Sequence, residues 1–465
     1  MTAKNKTRDM TTGNIFFQLL QFSLPLIIGN VFQLLYNTVD TYVVGNFVGK
    51  EALAAVGSTT MIINMVVFFF NGLSIGAGVV ISRYFGARNM KRLHDAVETT
   101  MAMTFGLCVI FTIIGMIFVR PMLLFMSTPE DVMPEAMVYL RIYMAGISGL
   151  MLYNMASGIL RAVGDTTRPL YILIFTSVMN VVLDLFFVLV LHLGVAGVSL
   201  ATIISQFISA IVVMVFITKT HEIYKFIWKD MKVDGELLRQ ILAVGLPTAV
   251  QSMITAFSNV FVQSYVNVFG SSVIAGWSCY NKVNQFIMLP MDSMAKAATT
   301  FVSQNVGAKN EKRADRGTVT AVLTVEAFTF LIVTFMFIFA APVTEIFSKD
   351  SEVIYFGALF VRVNTFFLLA NCVNHTLAGA LRGRGDSKGP MIIMLACFVV
   401  VRQIYLFVAT TFFANTPTVV ALGYPVGWVA CCVVEVSYYF YKRSFLYNSN
   451  IGIPRKKVEI KNTSE

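Results

Sequence analysis

Twelve stretches of about 20 apolar residues, each bounded by charges or by Gly and Pro, run through this 465-residue chain. They lie near 15–44, 52–80, 96–119, 137–157, 169–191, 195–217, 239–265, 273–301, 318–341, 354–378, 390–413 and 420–441. A run of that length is what an α-helix needs to cross the hydrocarbon core of a bilayer, and lipid admits only structures that satisfy their own backbone hydrogen bonds. The sequence therefore predicts an all-α integral membrane protein of twelve transmembrane helices. Composition agrees: 57% of the residues are hydrophobic and 13% charged, which leaves too little polar surface for a water-soluble particle and too much apolar sequence for disorder. The run that opens at Ile15 carries Gln18, Gln21, Asn30, Gln33, Asn37 and Asp40 and no small-residue cleavage pattern, so it reads as a retained first span. The six cysteines all fall inside apolar stretches without zinc or redox spacing and read as small packing residues.

The net charge of +10 is explained by where the bases lie. Of the 35 Lys and Arg residues, 27 fall before the first span, in every second loop, or after the last span, whereas the intervening loops hold only Lys50, Arg120 and Lys349. That asymmetry predicts a multi-pass protein of the cell inner (plasma) membrane with both termini in the cytoplasm, and it accounts for the charge without nucleic acid as a partner.

Two loop sequences recur at one offset. Residues 82–92 read SRYFGARNMKR and 303–313 read SQNVGAKNEKR; residues 158–169 read GILRAVGDTTRP and 379–390 read GALRGRGDSKGP, each pair 221 positions apart. Leu24-Pro25 and Leu246-Pro247 open the first span of each half. The chain is thus expected to be two homologous six-helix lobes. Because six spans return the chain to its starting side, the lobes share one orientation, the parallel-repeat plan of secondary transporters. The expected divisions are an N-terminal lobe over 1–218, a cytoplasmic inter-lobe loop over 219–238, a C-terminal lobe over 239–441 and a basic cytoplasmic tail over 442–465.

Ionisable side chains inside spans are costly unless they face a cavity or a partner, which makes them candidates for function. Asp40 follows Asn37 by three residues on the first span, and Asp184 follows Asn180 by four on the fifth, so each pair shares a helical face. Counted inward from the outer ends, Asp40, Asp184 and Thr202 lie roughly 8, 10 and 12 Å deep at 1.5 Å per residue. The side-chain oxygens of Asn37, Asp40, Asn180, Asp184 and Thr202 can then meet at one level, a hard-ligand set suited to H⁺ or Na⁺. The alternative is that the two acids only hydrogen-bond neighbouring helices. The repeat places Val262 opposite Asp40 and Tyr405 opposite Asp184, so the fold does not itself demand these acids.

With these residues the chain resembles the multidrug and toxic compound extrusion (MATE) antiporters over essentially its whole length. The likeness rests on Pro25, Asn37 and Asp40, on the duplicated loops, and on Asn180, Asp184 and Thr202, which look like the N-lobe cation site of the DinF-like bacterial branch. The resemblance implies efflux of amphipathic organic compounds or drugs by antiport with H⁺ or Na⁺, alternating access between the lobes, a helix bend at Pro25, and Na⁺ at Asp40, Asn180, Asp184 and Thr202. It implies no bound cofactor and no enzymatic activity; the partners are a small amphipathic substrate and the lipid bilayer, and the chain is expected to be a monomer. Other branches carry a carboxylate on the seventh span where this chain has Thr255.

Lys282, Arg402 and Glu326 are the candidates for the substrate cavity of the C-terminal lobe. Lys282 and Arg402 count out at roughly 15 to 18 Å from their helix ends, near mid-membrane. Equally open is the reading that they pair with Glu326 or Glu435 while Asp292 and Lys296 neutralise each other at i, i+4. Two other functions are considered. A lipid-linked saccharide flippase of the same superfamily would use cationic cavity residues, and an intramembrane serine hydrolase would use the GxSG at Gly146–Gly149 with His375. The tetrapeptide and the Gly72/Gly76 spacing both read better as close helix packing. The chain shows no Walker loop, HExxH or dinucleotide fingerprint, so the expected energy source is an ion gradient.

Overall fold

The structure, a computed structural model, describes residues 7–126 and 128–448. Residues 1–6 and most of the basic tail expected over 442–465 lie outside the described residues. Among those described, every regular element is helical. The long helices are α1 (Ile15–Val43), α2 (Lys50–Gly86), α3 (Met90–Phe125), the pair α4 (Met133–Ala145) and α5 (Ile147–Ala162), α6 (Thr167–Leu185) and α7 (Gly194–Lys219) in the first half. The second half holds α8 (Gly235–Asn267), α9 (Ser271–Gly307), α10 (Glu311–Ile338) with the short α11 (Ala340–Glu345), and α12 (Ser351–Asn364) running into α13 (Leu368–Gly383). It ends with α14 (Lys388–Leu395), α15 (Arg402–Val408), α16 (Pro417–Ala421) and α17 (Gly423–Asn448). Ten of the resulting segments are long and apolar enough to cross a membrane, and α4 with α5, bent by 45°, make an eleventh. The twelfth is α9, whose 37 residues include Lys282, Asp292 and Lys296 and are too polar to pass as a lipid-exposed span. It can be that polar because it is packed on several sides by α2, α10, α12 and α13 rather than by lipid.

Local sequence fixes the turns identically in both halves. Arg88 and Lys309, 221 apart, hold positive φ of 56° and 59°, and the asparagine after each caps the next helix, Asn89 accepting from the Arg92 amide and Asn310 from that of Arg313, each at 3.1 Å. In the second repeated loop Gly164 and Gly385 supply positive φ, and the following aspartate caps the next helix: Asp165 accepts from the Arg168 amide at 3.1 Å and Asp386 from that of Gly389 at 3.0 Å. The repeated motifs are thus explained first as turn chemistry.

The halves meet along α2 and α8, where Gly72 and Gly76 lie against the backbone of Ile241, Gly245 and Ala249. They meet again at the face carrying the basic loops. There a Cβ on Gly86 would collide with the carbonyl oxygen of Gln304, and one on Gly307 with that of Arg83. Gln304 also donates to Ala162 O at 3.0 Å, and Ser303 Oγ to Val79 O at 2.6 Å. The chain entering α1 straps this seam: the Arg8 amide donates to Val163 O of the first half, while Met10 is buried in the core of the second, its amide donating to Gln304 Oε1 at 2.9 Å and its carbonyl accepting from Asn305 Nδ2 at 3.1 Å.

Candidate functional site

Asp40 sits near the far end of α1 and Asp184 near the far end of α6, and beyond each acid the helix opens into a π-helical turn, Val44–Val48 and Phe186–Val190. These two turns pack on one another, which sets the parent helices side by side with the two carboxyls within hydrogen-bonding reach. Such i→i+5 turns recur at functional sites because they re-aim side chains without ending the helix. A seal of Val43, Val44, Val188, Val195 and Val198, with Tyr139 and Ala52, covers the pair on the far side.

Asp184 is fully buried, Asn180 and Thr202 nearly so, and Asp40 is 9% exposed. No donor reaches Oδ1 of Asp40, either oxygen of Asp184 or Oδ1 of Asn180, and Nδ2 of Asn180 has no acceptor. Thr202 spends its proton on Val198 O at 3.0 Å, which leaves its hydroxyl oxygen as an acceptor. Buried polar atoms are ordinarily satisfied, so this concentration of orphaned oxygens is the chemistry of a cation or proton seat. With two carboxylates, an amide oxygen and a hydroxyl, the donor set fits Na⁺ or H⁺ as cargo. Among the described residues no cluster of three or more His, Cys, Asp and Glu side chains forms, so the amide and hydroxyl must complete the set.

Sequence spacing placed four of these residues and misplaced one. Asn37 is exposed and does not join the cluster. The face of α1 that carries Asp40 continues through Tyr36 and Gln33, at i−4 and i−7, instead of through i−3. Tyr139 and Tyr143, stacked at 6.4 Å on α4, lie near the carboxyls, and Gln206 of α7 donates to Tyr143 at 3.4 Å. The i, i+4 tyrosines on the fourth span were the available signal for that wall. Tyr36, Gln33, Asn180 and Thr202 line a cavity inside the first half, which continues past Pro25 to Arg161 and to Lys296 of the other half. α1 runs through Pro25 unbroken, so the bend implied there is not a break in this structure.

The family model for MatE matches residues 25–186 and again 247–408, the two halves in turn. The chain belongs to the MatE family. Among curated relatives it is 28% identical to the probable multidrug resistance protein YpnP of Bacillus subtilis, over 85% of this chain and 89% of that one. It is 22% identical to the multidrug export protein MepA of Staphylococcus haemolyticus, over 88% and 90%. Among solved structures it superposes with a TM-score of 0.90, at 22% identity and over 97% of this chain and all of the other, on an outward-facing multidrug resistance MATE family transporter.

Within this MatE fold the basic and acidic candidates of the second half are not where depth counting put them. Lys282 is exposed and stacks on Phe347, in the connection after α11 on the far side, at 5.5 Å. α9 is far longer than a bilayer is thick, so counting from its first residue overstated the depth. Arg402 is 3% exposed, donates to Ser258 Oγ at 2.6 Å and Asn259 Oδ1 at 3.0 Å, and lies over Tyr424 at 4.8 Å. Its partners are neutral, so neither the cavity reading nor pairing with Glu326 or Glu435 describes it. Glu326 is half-buried toward Cys372 and lines no cavity described here. Asp292 is held by His375 Nδ1 at 3.2 Å, while Lys296 acts on it through space, outside contact ion-pair distance.

Proposed function

We propose that the protein is a secondary active exporter of amphipathic organic compounds, driven by entry of H⁺ or Na⁺ at Asp40 and Asp184. The observation that carries this reading is the facing pair of buried carboxyls with orphaned oxygens, in one half only, beside Asn180 and Thr202, which line the cavity; Val262 and Tyr405 occupy the repeat-related positions. Two carboxylates held together without a basic partner cannot both stay ionised cheaply. A cation or proton between them relieves that repulsion, draws α1 toward α6, and so gives the occupied and empty sites different preferences for the shape of the adjoining cavity. A ligand that distinguishes two states in this way is all that coupling requires. The names of the relatives, multidrug resistance and multidrug export proteins, support organic compounds as the exported class.

The face with the basic loops is read as cytoplasmic, which puts both termini inside and the carboxyl pair toward the outside. The closed seam at Gly86 and Gly307 then belongs to the outward-facing state, and opening it would admit substrate from the cytoplasm. The testing experiment uses purified protein in liposomes loaded with a fluorescent dye, with H⁺ and Na⁺ gradients imposed separately. Asp40→Asn keeps the side-chain volume and removes the charge that must alternate. It should bind dye and fail to drive efflux. Gradient-driven efflux by folded Asp40→Asn at the wild-type rate would remove this site from the mechanism.

A further inference from the structure

The inner part of the cavity is basic. Two charged side chains line it, Arg161 of α5 and Lys296 of α9, both basic, and both also line a small adjoining space. Among the described residues neither makes an ion pair. The groups facing Arg161 are neutral: it reaches Ser74 Oγ and Asn154 O only at 3.4 and 3.5 Å, with the Tyr153 ring beside it. Lys296 faces Arg161 itself and, one turn back on its own helix, Asp292, which His375 already holds. The repeat mate of Arg161 is not left in this state, since Arg382 donates to Gln251 Oε1 at 2.9 Å and lies near Glu435 and Asp292. Two like charges converging from opposite halves on one space inside a membrane are unfavourable without an anion between them. Apolar Leu26, Val67, Leu150 and Leu173 share the rest of the lining with amides and hydroxyls such as Asn30, Asn71 and Ser177, where a ring system with polar substituents fits.

We propose that Arg161 and Lys296 form a seat for the anionic group, carboxylate, phosphate or sulfonate, of the amphipathic substrate, so that this exporter selects anionic amphiphiles. The proposal rests on the efflux reading above and adds the charge of the substrate to it. Arg161 offers planar paired donors and Lys296 a point charge, a combination suited to an oxyanion. Because the two bases belong to different halves, the seat exists only while α5 and α9 stand together. Any movement that parts the halves separates the bases and releases the ligand. The seat lies inward of the carboxyl pair and uses none of its oxygens, so cation and substrate act on one cavity without sharing a residue.

The test measures binding to purified full-length protein in phosphatidylcholine nanodiscs, by fluorescence polarisation, of two probes on one ring system: anionic fluorescein and cationic rhodamine 6G. Fluorescein should bind at least about tenfold more tightly than rhodamine 6G. Lys296→Gln and Arg161→Gln should each weaken fluorescein by about tenfold or more and leave rhodamine 6G unchanged or tighter, with Lys296→Arg restoring fluorescein binding. If a Gln variant unfolds, rising salt on the wild type reads the same interaction: fluorescein binding should weaken while rhodamine 6G binding does not. Competition separates the sources of the anion: displacement of fluorescein by dioctanoyl phosphatidylglycerol but not by dioctanoyl phosphatidylcholine assigns a lipid headgroup, and displacement by a free aryl sulfonate alone assigns a soluble organic anion. Equal affinity for both dyes, or a Lys296→Gln affinity for fluorescein equal to wild type, would overturn the proposal. Cation-driven efflux of rhodamine 6G without fluorescein binding would sink this inference and leave the exporter reading standing; anion binding without any gradient-driven flux would do the reverse.

Discussion

Asp184→Asn offers the sharpest measure of the carboxyl pair, because Asp184 is fully buried and neither of its oxygens has a donor. The substitution keeps the volume, removes one of the two facing charges and leaves Asp40 in place. A cation about 4 Å from a carboxylate gains about 4 kcal/mol from it where the effective dielectric constant is near 20. At about 1.4 kcal/mol per decade, losing that attraction weakens cation binding by roughly three orders of magnitude. The assay is thermal unfolding of the purified protein across a Na⁺ series and, separately, across a pH series. A ligand at 100 times its Kd stabilises the native state by about 2.7 kcal/mol. At the same concentration the variant sits near one tenth of its weakened Kd and gains less than about 0.1 kcal/mol, so its response is flat. One of the two cations should raise the wild-type Tm, and that rise should vanish in the variant. An Asp184→Asn protein stabilised as strongly as wild type by the same cation would refute the reasoning, since the ion would then bind elsewhere.

At the closed seam, Gly86→Ala pushes a methyl group into the carbonyl of Gln304; a clash of backbone on methyl costs about 1–3 kcal/mol, enough to shift the population by tenfold or more away from the closed arrangement, which spin-label distances between the two repeated loops would report. Arg402→Met leaves Asn259 Oδ1 without its donor and Ser258 Oγ with only the 3.4 Å contact from Gln403, and should lower stability by about 1–3 kcal/mol while reducing transport of every substrate alike; a substrate-selective change with unaltered Tm would restore Arg402 to the cavity. Asp234 caps α8 outside the membrane, and the amide of Leu237, then that of Glu236 and the Arg92 guanidinium, hold its carboxyl below the usual range against a desolvation that works the other way. Since its folded value is depressed, the stabilisation is present above the ordinary carboxylate range and is lost as pH falls through the folded value. Asp234→Ala should cost about 1 kcal/mol near neutrality and less in acid, read from urea or thermal midpoints at the two pH values.

How far the sequence could be read follows from what each signal measures. Span positions rest on hydropathy, and even α9 was found because its ends are marked by Gly270 and the basic GAKN loop, although its own polarity argues against a lipid-facing helix. The offset of 221 was legible because turn chemistry repeats residue for residue, down to Arg88 and Lys309 in the same rare backbone conformation. The meeting of Asp40 and Asp184 followed from depth alone, since both lie a similar number of residues from an end that the π-helical turns confirm. Asn37 went astray because i−3 and i−4 straddle one helical face and spacing does not say which side looks inward. Lys282 was misplaced because a helix end is not a membrane boundary, and Arg402 because charge counting looks for acids while a guanidinium is also satisfied by Ser258 and Asn259. Lys296 was hidden on paper by Asp292 at i−4, a pairing that His375, remote in sequence, intercepts.

The seam between the two repeated loops has the reciprocity of a symmetric dimer. Gly86 meets Gln304 and Gly307 meets Arg83, and moving Gly86 forward and Gln304 back by 221 positions turns the first contact into the second. Contacts of that form arise when two copies of one six-helix unit face each other across a two-fold axis, because a single surface must then complement itself. Any change in the loop had to suit both of its roles at once, which holds the sequence of the seam in check. The carboxyl pair is formed by α1 and α6 of one half, so nothing obliges Val262 or Tyr405 to follow it. Symmetry persists where the halves still close on each other, and a separate chemistry was free to develop in the half that could change alone.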